Sequence, residues 1–180
     1  MGNSTPSFNL TAEALRNAFV LYVDVSQHPG AWSPTAAIWE PQGYKTEEAA
    51  MEFNPDKSTV TDILGDTYTD VNKFERAMTI DPNTLRPTGV KGKLNEIVHE
   101  ITRRNKMAEL SQFKVLLVYG YIGDTTDGFA ADIYPDSTIT PNSLGGSSRT
   151  QMPYDIDFGG TAIFGTVDKV LPDPTFTPEA

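Results

Sequence analysis

The pattern of apolar and polar positions is mostly that of short strands. Ala18-Phe19-Val20-Leu21-Tyr22-Val23-Asp24-Val25 and Phe113-Lys114-Val115-Leu116-Leu117-Val118-Tyr119 are runs rich in apolar, β-branched and aromatic residues, and they are the two strongest strands the sequence predicts. A second strand is expected over Thr35–Trp39, after the breaks at His28-Pro29-Gly30 and Ser33-Pro34. Met51–Phe53 and Thr59–Leu64 read as strands with Asn54-Pro55-Asp56-Lys57 as the turn between them. Beyond Gly65-Asp66, Thr67–Val71 and Phe74–Ile80 read as further extended chain, closed by Asp81-Pro82-Asn83. Phe129–Tyr134, Thr150–Phe158 and Thr161–Val170 complete the strands, with a loop over Pro141–Ser148. Pro172, Pro174 and Pro178 predict a tail without regular structure.

One segment has the period of a helix. Across Gly92–Leu110, Leu94, Ile97, Val98, Ile101, Ala108 and Leu110 fall largely on one stripe, with neither Pro nor Gly from Lys93 onward. Such a stripe has to be buried against a sheet or a barrel end. The expected fold is therefore mainly β, a barrel or sandwich with one flanking helix over about residues 92–110. At 180 residues, one domain over 1–180 is the default.

Charge narrows the function. The chain carries 24 acidic and 14 basic residues, a net charge of -10, and no cysteine. This surface repels phosphate backbones, which argues against tight nucleic-acid binding. The missing thiols exclude disulfides, Cys-based zinc sites and thiolate catalysis. No apolar run has the length of a membrane span, and no signal-peptide pattern opens the chain, so no membrane insertion is expected.

Catalytic patterns are missing. The two histidines, His28 and His99, form no HExxH pair, and neither GxSxG nor a P-loop occurs. Gly145-Gly146-Ser147-Ser148 lacks the lysine of a phosphate cradle, and Gly123–Gly128 lacks the spacing and terminal Glu of a calcium loop. No cofactor, metal or catalytic residue is expected. Asp155 and Asp157 are two apart on an expected strand, so they share one face opposite Ile156 and Phe158. A solvated sheet face is the plain reading. A carbohydrate-binding or hydrolytic β-sandwich using Trp32, Trp39, Asp155 and Asp157 is the enzymatic or lectin-like alternative. Lys91, Lys93, Arg103, Arg104 and Lys106 put five cations into sixteen positions, interleaved with Glu96 and Glu100. They form a candidate inter-subunit patch that would suit an acidic neighbour. Trp32 and Trp39 are candidate interface aromatics.

The order of segments carries more than any single residue. Thr61–Tyr68 is followed by Phe129–Tyr134, Ile139–Gly146, Met152–Gly160 and finally Ile163–Asp168. This succession, over roughly residues 15–170, resembles the major tail protein, or tail tube protein, of long-tailed, non-contractile bacteriophages. The resemblance implies a small β-barrel or sandwich flanked by a helix. Six copies would form a ring, and rings would stack into a virion tail tube that conducts double-stranded DNA without sequence-specific binding. It implies a structural, non-enzymatic protein, made in the host cytoplasm. Self, tape measure, tail terminator and distal tail or baseplate proteins would be its partners. Residues 42–69 would be the loop that reaches the adjoining ring, 1–10 a flexible N-terminal arm and 171–180 a Pro-rich tail. A wall that lets DNA slide should be acidic, and Asp132, Asp155 and Asp157 are the candidates to face the lumen. The alternative within the same architecture is the tube of a contractile tail or of a phage-like secretion or bacteriocin particle.

Overall fold

The computed structural model describes residues 18–26, 33–43, 46, 49–86 and 92–179. The arm 1–10, His28, Trp32 and Lys91 lie outside the described residues. The strands are β1 (Phe19–Asp24), β2 (Trp39–Pro41), β3 (Met51–Glu52), β4 (Pro55–Thr61), β5 (Thr67–Phe74) and β6 (Ala77–Ile80). The helix α1 (Lys93–Arg103) then precedes β7 (Phe113–Asp124), β8 (Gly128–Pro141), β9 (Tyr154–Asp157), β10 (Ile163–Val167) and β11 (Phe176–Pro178). The expected architecture, mainly β with one flanking helix, is present.

Nine strands form one curled half-barrel in the order β2-β1-β7-β8-β9-β6-β3, with β10 pairing β8 and β11 pairing β10. The long strand β8 makes the curl. Its first part pairs β7 (Ala131↔Val118, Ile133↔Leu116) and β10, while its last part pairs β9 (Ile139↔Ile156). Between them, at Pro135–Ser137, the strand bends. Gly159 meets this bend so closely that a Cβ there would lie 2.3 Å from the Asp136 carbonyl oxygen. The register shift against β7 here, from Val115↔Tyr134 to Phe113↔Ser137, is a bulge that lets one strand serve both halves of the curled sheet.

The apolar runs of β1 and β7 are continuous because both faces are covered. Val115, Leu116, Leu117 and Val118 are all fully buried. Leu21, Val23, Val115 and Leu117 face a first core, closed by α1 through Leu94, Ile97, Val98 and Ile101 and by β9 through Tyr154 and Ile156. Val20, Tyr22, Leu116, Val118, Ala131 and Ile133 face a second core on the other side, with Trp39, Val167 and Phe176.

The helix is shorter than the sequence pattern predicts. It ends at Arg103, and Asn105 takes a left-handed backbone (φ 57). The Lys106 amide then donates to the Ile101 carbonyl (3.0 Å) and the Asn105 amide to that of Thr102 (3.1 Å), a Schellman closure. Met107–Ser111 continues as a 3-10 turn, so Leu110 is buried but Ala108 is exposed rather than on the stripe. At its other end α1 has no side-chain cap of its own. Glu40, buried on β2, supplies it: Oε2 accepts from the Lys93 amide at 2.8 Å and Oε1 from that of Leu94 at 3.4 Å.

Three expectations need correction. Pro34–Ala36 is a 3-10 turn started by proline, and the strand expected over Thr35–Trp39 is instead β2 at Trp39–Pro41. Pro41 is tolerated there because β2 is an edge strand. The turn expected over Asn54–Lys57 is confined to Asn54 (φ 39), and β4 begins at Pro55. The tail is not irregular throughout, since β11 pairs β10 through Val167↔Phe176 and Gly165↔Pro178.

Candidate assembly surfaces

The strands β4 and β5 pair only with each other. Every one of their residues is exposed. One face is a hydroxyl ladder, with Thr59 opposite Thr69 (3.1 Å between hydroxyls) and Thr61 opposite Thr67 (3.2 Å). The other face carries Val60 opposite Tyr68. At the base, Phe53 meets Phe74 edge-on, centroids 5.9 Å apart. Of twelve exposed large apolar side chains among the described residues, seven lie from Phe53 to Phe74. An isolated two-stranded hairpin is marginal in water, and a concentration of exposed apolar groups marks an interaction surface.

The apex of this hairpin is built rather than loose. The Asp62 carboxylate accepts the backbone amides of Leu64 (2.8 Å) and Asp66 (3.0 Å). The Asp62 amide donates to the Asp66 carbonyl, the Gly65 amide returns to that of Asp62, and Gly65 supplies the left-handed residue (φ 90). These bonds hold Ile63 and Leu64 outward at 102% and 82% exposure. The segment 42–69 expected to reach a neighbour includes this apex and β4, while the projecting hairpin runs on to Phe74. Residues 42 and 46 lie on the body instead, where the Gln42 amide donates to the Leu21 carbonyl and the Thr46 hydroxyl to that of Pro82.

The helix cations are already partnered. Lys93 pairs with Glu96 (2.9 Å), Lys106 with Glu109 (3.0 Å), and both Arg103 (3.0 Å) and Arg104 with Glu100. The Arg103 hydrogen bond leads the effects that hold the Glu100 carboxyl below the usual carboxylate range. Two guanidiniums sharing one carboxylate leave a single uncompensated positive charge at the end of α1. The patch is therefore close to neutral, with a cationic end.

The three candidate aspartates do not converge. Asp155 and Asp157 do share the outer face of β9, with Tyr154 and Ile156 in the core. Asp155 accepts from the Thr79 hydroxyl (2.6 Å) and the Asn142 side-chain amide (3.1 Å). Asp132 lies on the opposite face of β8 from the buried Ala131 and Ile133 and accepts from the Tyr119 hydroxyl at 3.1 Å. Partial burial raises its pKa, opposed by the Tyr119 hydrogen bond and by the charge of Arg76. Arg76 itself donates to the Tyr134 hydroxyl (2.8 Å).

Trp39 is buried in the second core, which removes its ring from any sugar-stacking surface. The acidic loop Gly123–Gly128 is a hairpin turn: Asp124 accepts the amides of Thr126 (2.7 Å) and Asp127 (2.9 Å). The Asp127 bond, then the Thr126 bond, holds its carboxyl below the ordinary range. Gly145 exchanges two backbone hydrogen bonds with Gln151 (3.0 and 2.6 Å), so its amide is not offered to an anion. Among the described residues no three His, Asp or Glu side chains are grouped to hold a metal ion.

Two surface cavities are lined mainly by apolar groups. One, of about 370 Å³, lies among Phe19, Leu21, Pro41, Met78, Ile80 and Leu171. The other, of about 330 Å³, lies between the second half of α1 and the 141–152 loop, among His99, Thr102, Arg103, Pro141, Leu144 and Met152. Sequence reasoning missed both, because each is assembled from segments far apart in the chain.

No family model matches the chain, and no curated protein matches it. Among solved structures, it is similar to a chain of the PVC sheath-tube complex of an extracellular contractile injection system, seen in the extended state by cryo-EM. The TM-score is 0.46 at 10% identity, over 88% of this chain and 95% of that one.

Proposed function

We propose that the chain is a structural, non-enzymatic protein whose work is to polymerise into a tube of stacked rings. The observation that carries this reading is the projecting β4–β5 hairpin, exposed along its whole length and tipped with Ile63 and Leu64. Exposed apolar groups gathered on one projecting element mark a contact with another molecule, which a stacking subunit requires. The order of segments that resembles tail tube proteins supports the same reading. So does the net charge of -10, which would let a duplex slide through a passage instead of sticking to it.

In this reading six copies close a ring, the hairpin reaches the next ring, and double-stranded DNA passes through. Asp155 and Asp157, together on an outer sheet face, are its candidates for the lumen, and Asp132 is a weaker one because it lies apart from them, half-buried beside Tyr119. Tape measure, terminator and distal tail proteins are the proposed partners, in a virion tail. The tube of a contractile tail or injection particle would use the same subunit with a sheath outside it. Binding of a co-expressed sheath protein to assembled tubes separates the two machines.

Negative-stain microscopy of the purified chain, mixed with tail-tip initiator components, tests the proposal. Rings with a central hole, stacked into tubes, are expected. Particles that stay monomeric under those conditions would refute it, as would a filament solid along its axis.

A further inference from the structure

The hairpin apex and the cavity beside α1 match in chemical character, an aliphatic pair between carboxylates on one side and an apolar cavity with a cation on its rim on the other. The apex offers two adjoining aliphatic side chains, Ile63 and Leu64, held outward by the Asp62 turn and flanked by the carboxylates of Asp62 and Asp66. The cavity of about 330 Å³ offers Pro141, Leu144 and Met152 as its apolar lining, with Arg103 and His99 beside them. Arg103 belongs to the end of α1 where two guanidiniums share Glu100. Leu144 is itself an exposed apolar group on the lip of this cavity. Among the described residues no charged side chain lines the larger cavity beside β1, so none there would compensate the two aspartates.

From this match we infer that the Ile63-Leu64 apex of one copy seats in the α1/141–152 cavity of a second copy, with Asp62 and Asp66 meeting the cationic end of the helix. Seating within one chain is not the arrangement present, because every strand residue of the hairpin is exposed and so are Ile63 and Leu64 at its apex. The inference rests on the tube reading and names the receptor that the reading leaves open. It gives the hairpin a fixed register on its neighbour, since an apolar pair between two carboxylates fits a pocket with a cation on one rim in few orientations.

The chain has no cysteine, so introduced thiols report without background. Leu64→Cys and Leu144→Cys placed in one chain, assembled with initiator and treated with a short bismaleimide, should give a ladder of linked chains that unassembled protein does not give. The pair Leu64→Cys and Leu171→Cys probes the other cavity. Tubes that form without a 64–144 ladder, or with a 64–171 ladder instead, overturn this inference and leave the tube reading standing. An unsubstituted chain that never forms tubes overturns both. A charge exchange covers the case in which the cysteines impair assembly. Asp66→Arg should raise the critical concentration for assembly several-fold, and Arg103→Glu added to it should recover most of the loss. Wild-type assembly by Asp66→Arg, or no recovery in the double variant, counts against the seat.

Discussion

Glu40 should hold the start of α1 from a position 53 residues away in sequence. The helix begins at Lys93 after a glycine that offers no side-chain acceptor, so its first amides need one from elsewhere. Glu40 meets Lys93 at 2.8 Å, a good charge-assisted bond, and Leu94 at 3.4 Å, a weak one. A bond to a charged acceptor contributes about 1.5–3 kcal/mol, and an anion at a helix N-terminus up to about 2 kcal/mol in a partly buried setting. These overlap, since both count the same carboxylate against the same amides. Glu40→Ala should therefore cost about 2–3 kcal/mol, and Glu40→Gln, which keeps an oxygen but loses the charge, about 1 kcal/mol. At roughly 2–4 °C per kcal/mol for a domain of this size, the alanine variant should melt about 4–12 °C lower and the glutamine variant about 2–4 °C lower. Thermal unfolding followed by circular dichroism gives the size, and hydrogen exchange at the Lys93 and Leu94 amides gives the location. Unchanged melting in both variants, with those two amides still protected, would refute the capping role.

Three further predictions concern the body of the fold. Gly123→Ala should lower the melting temperature by about 6 °C or more, because Gly123 has φ 103 and its new Cβ would lie 2.1 Å from the Gly128 carbonyl oxygen; strain of this kind costs about 3 kcal/mol. Asn105→Ala should cost about 1 kcal/mol and Asn105→Gly nothing, since the position is left-handed (φ 57) at the close of α1; urea unfolding distinguishes them. Asp132→Asn should stabilise the protein near pH 7. Burial raises the Asp132 pKa in the fold, so its charged form is disfavoured there: the aspartate's relative stability is full below the unfolded value of about 3.9 and is lost as pH rises through the folded value. The gain from asparagine should thus shrink on acidification, and a gain that grows at low pH would contradict the assignment.

The parts legible in the sequence are those decided by uninterrupted local pattern. β1, β7 and the Leu94–Ile101 stripe of α1 were readable because each buries a continuous run or a single face. What escaped depends on partners distant in the chain. β2 was misplaced by a few residues because Pro34 starts a 3-10 turn, and Pro41 is harmless only on an edge strand whose partner is Tyr22. β11 was hidden by its prolines, although Thr177 and Phe176 complete β10 and Phe176 fills the second core. The local pattern of β8 stops at Tyr134, since nothing nearby in the sequence says that the strand resumes beyond Pro135 against β9. Of the candidate surfaces, the Asp155/Asp157 face followed from period-two spacing. The pairing of each helix cation did not, because it depends on which of several nearby glutamates each side chain reaches.

The same features that favour assembly also explain how subunits could wait for it. The edge strands of the nine-stranded sheet, β2, β3 and β11, have only three, two and three residues, too short to template indefinite growth of that sheet. The net charge of -10 opposes encounters between like subunits at low salt. Attraction is left to the hairpin, whose exposed apolar groups are interspersed with Asp56, Asp62, Asp66 and Asp70. One such contact is weak against the cost of association, whereas a ring already in place would offer several hairpin seats at once. Growth should then depend on a preformed ring far more than on bulk concentration. In light-scattering traces, trace amounts of preassembled tube should abolish the lag at subunit concentrations that stay monomeric for hours without them. A lag that seeds leave unchanged would mean that the barrier lies in refolding of the subunit, not in the weakness of a single contact.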